Sequence, residues 1–423
     1  MATLIRNYQD HWRLASKPAR RYLIGAVLMG FAQAVTWSLL ARYLDARGFS
    51  KGEVGSILAS DALGKTMIAL PAALWLARRS VRRTFMVAAC LGGAAYFAMP
   101  FVHSLQGLRA LNMFAGMCLV VHYVVIAPFL FRHTGPRERA SIFGLAEAIR
   151  TMASVVGALL AGLLVSYLMG VWLAPDATAD LISRAEADAT GYAIMGAGLT
   201  SILASLVYRT ISDQREILPE ALPVWEAAMK HRGIIARFAL PQLFIAAGSG
   251  FCIPFLPLYF KDRFALEPNE WGQMFASGQV LMTFGLLASP WILSKLGYVR
   301  SIVAIELMSL PFFLLLALTM DLRLAAVAFL MRGALMNSTH PIHKNLMMNA
   351  TAPEVREVQT GINATLWGLG WVIGPWLGGI VLERSNNDYS LLMYTTMGCY
   401  VVAAALTYAM LIPLERRIVK ESD

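Results

Sequence analysis

The feature that most constrains this chain is an internal repeat: residues 55–164 resemble residues 272–381 at a constant spacing of 217 positions. The repeated residues are mostly glycines and turn residues, such as Gly55 with Gly272 and Gly162 with Gly379. Hydrophobic residues make up 57% of the 423 positions, and charged residues only 15%. A duplicated, strongly apolar chain is typical of polytopic membrane proteins built from two related halves.

Apolar stretches long enough to cross a ~30 Å hydrocarbon core as helices recur along the whole chain. Twelve are predicted, at 22–43, 54–77, 84–104, 108–131, 142–172, 191–208, 238–260, 271–294, 301–320, 324–345, 358–382 and 391–414. The predicted fold class is therefore an all-α polytopic membrane protein. The predicted domains are a six-helix bundle at 1–208, a cytoplasmic linker at 209–237 and a second six-helix bundle at 238–423.

The distribution of basic residues predicts the orientation of the chain. If the N-terminus is cytoplasmic, 24 of the 36 Lys and Arg residues fall on inner segments and 9 on outer loops. By the positive-inside rule both termini are expected to be cytoplasmic, in a multi-pass protein of the plasma (inner) membrane. The net charge of +10 then reflects an inner rim that faces anionic lipid, so it requires no nucleic-acid partner.

Two local motifs resemble the major facilitator superfamily. Residues 76–83 read Leu-Ala-Arg-Arg-Ser-Val-Arg-Arg, where the family usually has L-A-D-R-x-G-R-R between its second and third helices. Arg79, Arg82 and Arg83 match this pattern, which implies a role in gating, while Arg78 replaces the aspartate of the family's inner-gate latch. The second motif is glycine-rich and lies in the eleventh predicted helix, at Gly370, Gly374, Pro375, Gly378 and Gly379.

The glycine-rich motif resembles the pattern that antiporters of the superfamily carry in their fifth helix. In the fifth helix of this chain only Gly157 and Gly162 keep a glycine, and the proline is absent. Small residues at these intervals let helix backbones approach closely, so a packing role is expected. The resemblance covers nearly the full chain and implies two pseudo-symmetric six-helix bundles around a central cavity, with transport by alternating access.

Polar side chains inside predicted membrane helices are the candidates for chemistry, because a charge that persists there usually faces a cavity or a partner. Asp61 and Lys65 are spaced i,i+4, and Glu147 and Arg150 are spaced i,i+3. Asp61 and Glu147 are the candidate proton-coupling residues. The candidate substrate-binding residues are Lys65, His122, Arg150, Gln279, Arg332, Asn337, His340, Asn363, Trp367 and Trp371.

The repeat separates these candidates from the scaffold. At the spacing of 217, Asp61 corresponds to Gly278, and Glu147 to Ala364. None of the ionisable candidates is shared between the halves, which is the pattern expected of a solute site on a duplicated frame. A structural alternative stays open, because each close pair could instead be an ion pair whose charges neutralise each other and which holds helices together.

Other charged segments have simpler interpretations. Glu306 maps to a peripheral helix, where it is expected to pair with the basic rim. The acidic outer segment 174–190 is expected to be a solvated loop. His340 and His343 have a spacing that some metal sites use, but no carboxylate accompanies them, so no metal is predicted.

The sequence therefore predicts a proton-coupled secondary active transporter of a small organic solute, anionic or zwitterionic. Lipids and protons are its other expected partners, and a monomer without cofactor is expected. One alternative is a proton-coupled exporter of amphipathic drugs. Another is a lipid flippase, or a sensor that transports nothing. An enzyme is not predicted, because the chain has no nucleophile elbow or metal framework.

Overall fold

The computed structural model is all-helical in the part of the chain that it describes, namely residues 16–76, 80–134, 139–212, 226, 229–351 and 356–422. These residues contain twelve helices and no strand, which confirms the predicted fold class. The helices are α1 (Lys17–Ala46), α2 (Lys51–Leu76), α3 (Val81–Phe101), α4 (Leu105–Arg132), α5 (Arg139–Trp172), α6 (Ala179–Arg209), α7 (Arg232–Phe264), α8 (Pro268–Leu296), α9 (Tyr298–Leu318), α10 (Leu322–Ala350), α11 (Arg356–Arg384) and α12 (Tyr389–Ser422).

Nine of these helices are long and apolar enough to cross a membrane, counted over the described residues alone. They are α1, α3, α5, α6, α7, α8, α9, α11 and α12. The protein is therefore an integral multi-pass membrane protein. Most of the predicted linker 209–237 and part of the motif at 76–83, including Arg79, lie outside the described residues.

Several helices begin at the residues that cap helices most effectively. The side-chain oxygens of Ser16, Ser104 and Thr178 each accept a hydrogen bond from a backbone N–H three residues later. Such caps satisfy backbone donors that the first helical turn leaves without partners. The cap at Thr178 starts α6 at Ala179, so the expected loop at 174–190 is mostly helical.

The first compact unit, here called unit 1, comprises residues 1–48, 67–219 and 267–276. Its described core has an aromatic part, which includes Tyr22, Phe85, Phe129 and Tyr208. A second part packs small and branched residues of α1, α5 and α6 against one another. The small residues let these helices approach closely.

The second compact unit, unit 2, comprises residues 49–66, 220–266 and 277–423. Its described core joins apolar residues of α7, α9, α10 and α12, among them Phe238, Ile302, Ile342 and Leu411. The helices α2 and α8 are each divided between the units. The residues of α2 up to Thr66 belong to unit 2, and the residues of α8 up to Ala276 belong to unit 1.

The repeated glycines form equivalent close contacts in the two units. In unit 2, a Cβ atom added at Gly379 of α11 would lie 2.5 Å from the carbonyl oxygen of Lys51 in α2. In unit 1, a Cβ atom added at Gly162 of α5 would lie 2.5 Å from the carbonyl oxygen of Pro268 in α8. Both partners are related by the same spacing of 217, so the sequence repeat is also a repeat of backbone packing.

A second pair of repeated glycines, Gly157 of α5 and Gly374 of α11, packs closely against α1 and α7. A Cβ atom at Gly157 would lie 2.8 Å from the carbonyl oxygen of Phe31, and one at Gly374 would lie 2.6 Å from that of Ala247. At these separations no side chain fits without a backbone shift. Gly370 and Gly378 make comparably close contacts with α7.

Candidate functional site

The ion pair of Asp61 and Lys65 lies in the part of α2 that belongs to unit 2. Lys65 Nζ is 2.5 Å from Asp61 Oδ2, and the two side chains are 24% and 22% exposed. Asp61 Oδ1 is buried and receives no hydrogen bond in the described residues. The pair is therefore accessible in part, and one carboxylate oxygen still has its hydrogen-bonding capacity unused.

Contacts between α2 and α11 fix which residues of the two helices lie at the same level. A Cβ atom at Gly368 would meet the side chain of Thr66, and one at Gly379 would lie 3.1 Å from Cα of Gly55. The helices are thus antiparallel over this stretch. Interpolation between these two contacts brings Trp371 of α11 to the level of residues 61–65.

Two further candidate residues meet on α10 and α11 of the same unit. The rings of His340 and Trp367 are T-shaped, with their centroids 5.4 Å apart. Asn363 Nδ2 is 3.2 Å from the sulfur of Met347, and its Oδ1 accepts no hydrogen bond in the described residues. Unit 2 thus supplies an ion pair, aromatic rings and an amide oxygen with unused hydrogen-bonding capacity.

The second predicted pair, Glu147 with Arg150, lies on α5 in unit 1. The guanidinium contacts both carboxylate oxygens, with Nε donating to Oε2 over 3.1 Å. The side chains of Glu147 and Arg150 are 56% and 39% exposed, respectively. This pair is more accessible than the pair on α2.

His122 lies in the aromatic core of unit 1, where it is almost completely buried. Its ring contacts those of Tyr22, Phe85 and Tyr208 at centroid separations of 5.0–5.7 Å. Nε2 is 3.3 Å from the hydroxyl of Tyr22. In this conformation the ring is part of the packed core, and its predicted contact with a solute stays a prediction.

Arg332 lies in the core of unit 2 and is only 4% exposed. Its guanidinium carbon is 5.1 Å from the ring centroid of Phe313 in α9. Asn337 Nδ2 donates to the carbonyl oxygen of Gly333, and the carbonyl oxygen of Gln279 accepts from Thr283. The substrate roles predicted for these three residues remain predictions.

Sequence reasoning missed two buried acidic residues. Glu186 was expected in a solvated loop, but it is buried and forms an ion pair of 2.8 Å with Arg42 of α1. Glu306 was expected to pair with the basic rim, but it is buried, and Oε2 has no partner in the described residues. The sequence signal that indicates burial of Glu306 is its position eight residues after the start of an apolar helix.

At the first residue of α2, a three-residue contact was also missed. Lys51 Nζ is 2.8 Å from Asp262 Oδ2, and the hydroxyl of Tyr389 donates to the same oxygen over 2.6 Å. The contact ties α2, α7 and α12 within unit 2. No cluster of three or more metal-ligating side chains is found within the described ranges.

Comparison with known proteins places this architecture in one family. The family model of the Major Facilitator Superfamily matches residues 22–375 and 238–421. The comparison with curated proteins gives no match.

Solved structures with the same fold are transporters. A bacterial homolog of the human lysosomal transporter Spinster is 14% identical, with a TM-score of 0.73, over 96% of this chain and 98% of that one. The nucleoside transporter NupG is 12% identical, with a TM-score of 0.73, over 93% and 99%. The human organic anion transporter MFSD10 (TETRAN) is 14% identical, with a TM-score of 0.64, over 93% and 100%. These likenesses establish the fold, and the match of the family model over nearly the whole length establishes that the chain belongs to the Major Facilitator Superfamily.

Proposed function

We propose that this protein is a secondary active transporter that moves a small organic solute by alternating access and is driven by the proton gradient. The observation that carries the proposal is the Asp61–Lys65 ion pair, which is partly accessible within α2, a helix predicted from the sequence to cross the membrane. Intramembrane carboxylates and ammonium groups are costly and commonly mark transport pathways. That the protein is a transporter follows from its membership of the Major Facilitator Superfamily.

The proposed coupling step is a change of partner for Lys65. Protonation of Asp61 removes the negative charge that holds the ammonium group of Lys65. The ammonium group is then available to bind an anionic group of the solute. Loss of the proton restores the pair and releases the solute, so that one proton is bound and released in each transport cycle.

The charges and rings of unit 2 favour a zwitterionic solute with an apolar part. Once Asp61 is protonated, Lys65 offers a positive charge to an anionic group of the solute, whereas Arg332 lies against Phe313 in the core and adds no accessible positive charge. Trp367 and Trp371 are partly accessible and offer flat apolar surfaces. Indole rings stack on apolar or cationic groups of ligands.

In unit 1, Glu147 and Arg150 are proposed as a second proton-responsive pair. They have the same chemistry as Asp61 and Lys65 with a shorter spacing along the helix, and both side chains are more exposed. Protonation of Glu147 would free a guanidinium, which binds carboxylates in a bidentate manner. The same proposal keeps both termini cytoplasmic, in the plasma membrane, and the protein monomeric.

The proposal is tested by a thermal-shift screen of zwitterionic, anionic and cationic solutes on the purified protein. A zwitterion that raises the melting temperature of wild-type protein, but raises that of Lys65→Ala and Trp367→Ala much less, supports the assigned site. The matched control is Asp180→Asn, which breaks an i,i+4 ion pair with Arg184 at the exposed start of α6. A solute that stabilises both site variants as well as wild-type protein would show that the site lies elsewhere. Stabilisation by hydrophobic cations alone would favour a multidrug exporter.

A further inference from the structure

Glu306 is a carboxyl group in the middle of a membrane helix without a compensating contact. It is 2% exposed, and its Oε2 has no hydrogen-bond partner among the described residues. An ionised carboxylate in such a place carries a large desolvation cost. A protonated, neutral carboxyl group avoids that cost.

Arg332 of α10 is a buried cation in the same region. Its guanidinium lies over the ring of Phe313, a residue of the same helix as Glu306. No carboxylate pairs with it in the described part of the chain, and its Nε donates no hydrogen bond there. A cation–π contact compensates for only part of the cost of burying a guanidinium.

The two groups lie at similar depths on helices that pack side by side. Glu306 is roughly 18 Å from the end of α9 at Leu318, and Arg332 is roughly 15 Å from the start of α10 at Leu322. A connection of three residues joins these helix ends, so the helices are antiparallel and the two residues differ in depth by roughly 3 Å, about half a turn. Both therefore lie several residues inside their helices, at a similar level.

Tyr400 of α12 lies at a similar level. Its hydroxyl is 2.7 Å from Ser249 Oγ of α7. Its ring is T-shaped to Phe313 at 5.4 Å. On the helices packed against α9, the described charged or titratable side chains at a similar level are Arg332 of α10 and Cys399 and Tyr400 of α12.

We propose that Glu306 is a protonation site within unit 2, and that Arg332 is the cation that binds its carboxylate once the proton has left. In this step the O–H bond of Glu306 breaks, the proton passes to a water molecule that enters the core, and the carboxylate forms an ion pair with the guanidinium. Arg332 leaves the face of Phe313 when the pair forms. Proton release would thus draw α9 and α10 together.

The inference extends the proposed proton coupling to a third acidic residue, but its test does not depend on transport. Infrared spectra of the reconstituted protein, recorded from acid to alkaline pH, report protonated carboxyl groups through their C=O stretching band. We expect a band that disappears as the pH rises and is absent from Glu306→Gln. Glu270→Gln, which removes an exposed carboxylate at the start of α8, is the matched control and should leave this band unchanged.

The variants of Arg332 test the pairing while keeping Glu306 in place. In Arg332→Gln the carboxylate loses its cation, so the band should persist to a higher pH than in wild-type protein, whereas Arg332→Lys should follow wild-type protein more closely. A spectrum of Glu306→Gln with the full wild-type band, or identical titrations for Arg332→Gln and wild-type protein, would overturn the inference. A band that behaves as expected in a protein that moves no solute would instead count against the proposed function.

Discussion

Arg42 Nε lies 2.8 Å from Glu186 Oε1, and the two side chains, on α1 and α6, are only 3% and 5% exposed. Both lie in unit 1. A buried pair of this kind makes a modest net contribution, but the loss of one partner leaves an uncompensated charge in the core.

Glu186→Ala should therefore lower the free energy of unfolding by about 3–5 kcal/mol. The double variant Arg42→Met/Glu186→Leu removes both charges and should recover most of that loss. Thermal unfolding in detergent measures both effects. Asp180→Ala is the control on the same helix, since its partner Arg184 is 72% exposed and the pair should contribute little. Equal melting temperatures for Glu186→Ala and Asp180→Ala would contradict this account.

Gly374 should tolerate no side chain. A Cβ atom there would lie 2.6 Å from the carbonyl oxygen of Ala247 and equally close to Cα of Gly250, both backbone atoms of α7. Gly374→Ala should therefore destabilise the protein by about 1–3 kcal/mol through overpacking. Gly361→Ala on the same helix meets nothing within 4 Å, and should be neutral or stabilising because alanine favours helices. The melting temperatures of the two variants test this prediction, and equal values would contradict it.

Asp61→Asn should uncouple transport from the proton gradient. The amide cannot bind and release a proton, so uptake driven by a pH gradient should fall at least about tenfold. A tenfold change corresponds to a free-energy difference of about 1.4 kcal/mol. Exchange of labelled for unlabelled solute across the same vesicles needs no net proton movement and should persist. Asp180→Asn is again the control and should retain both activities. Gradient-driven uptake at the wild-type rate in Asp61→Asn would rule out this carboxylate as the coupling group.

Trp367 should contribute to solute affinity through its ring, which also packs against His340 at 5.4 Å. Aromatic contacts contribute about 0.5–1.5 kcal/mol beyond area burial, so Trp367→Ala should weaken binding by about two- to tenfold or more, and Trp367→Phe by less. Calorimetric titration measures the change. Trp291→Ala, which removes a highly exposed indole from α8, is the control. Unchanged affinity in Trp367→Ala would remove the ring from the site.

The sequence was sufficient for the helices and the repeat, because apolar length and glycine spacing are local signals. The contact of Gly162 with Pro268 and that of Gly379 with Lys51 are related by the same spacing of 217. The repeated packing of the helices was therefore predictable from this one sequence. The two i,i+4 and i,i+3 ion pairs were also predictable, since residues at those spacings share a helix face.

Contacts between distant segments were not predictable in this way. The pair Arg42–Glu186 joins residues 144 positions apart, and its carboxylate was assigned to a loop because four acidic residues cluster there. Likewise, the burial of Arg332 against Phe313 depends on how α9 and α10 pack, and periodicity alone does not specify it. Long-range partners of charged residues require three-dimensional packing.

The most direct test of the central claim is proton flux during solute transport. Wild-type protein is reconstituted into vesicles that contain a pH-sensitive dye, and the zwitterion selected by the thermal-shift screen is added under an imposed pH gradient. The account predicts solute movement accompanied by a proportional pH change, both abolished by a protonophore and both lost in Asp61→Asn. Solute movement without any proton flux, at a rate that the protonophore leaves unchanged, would contradict it.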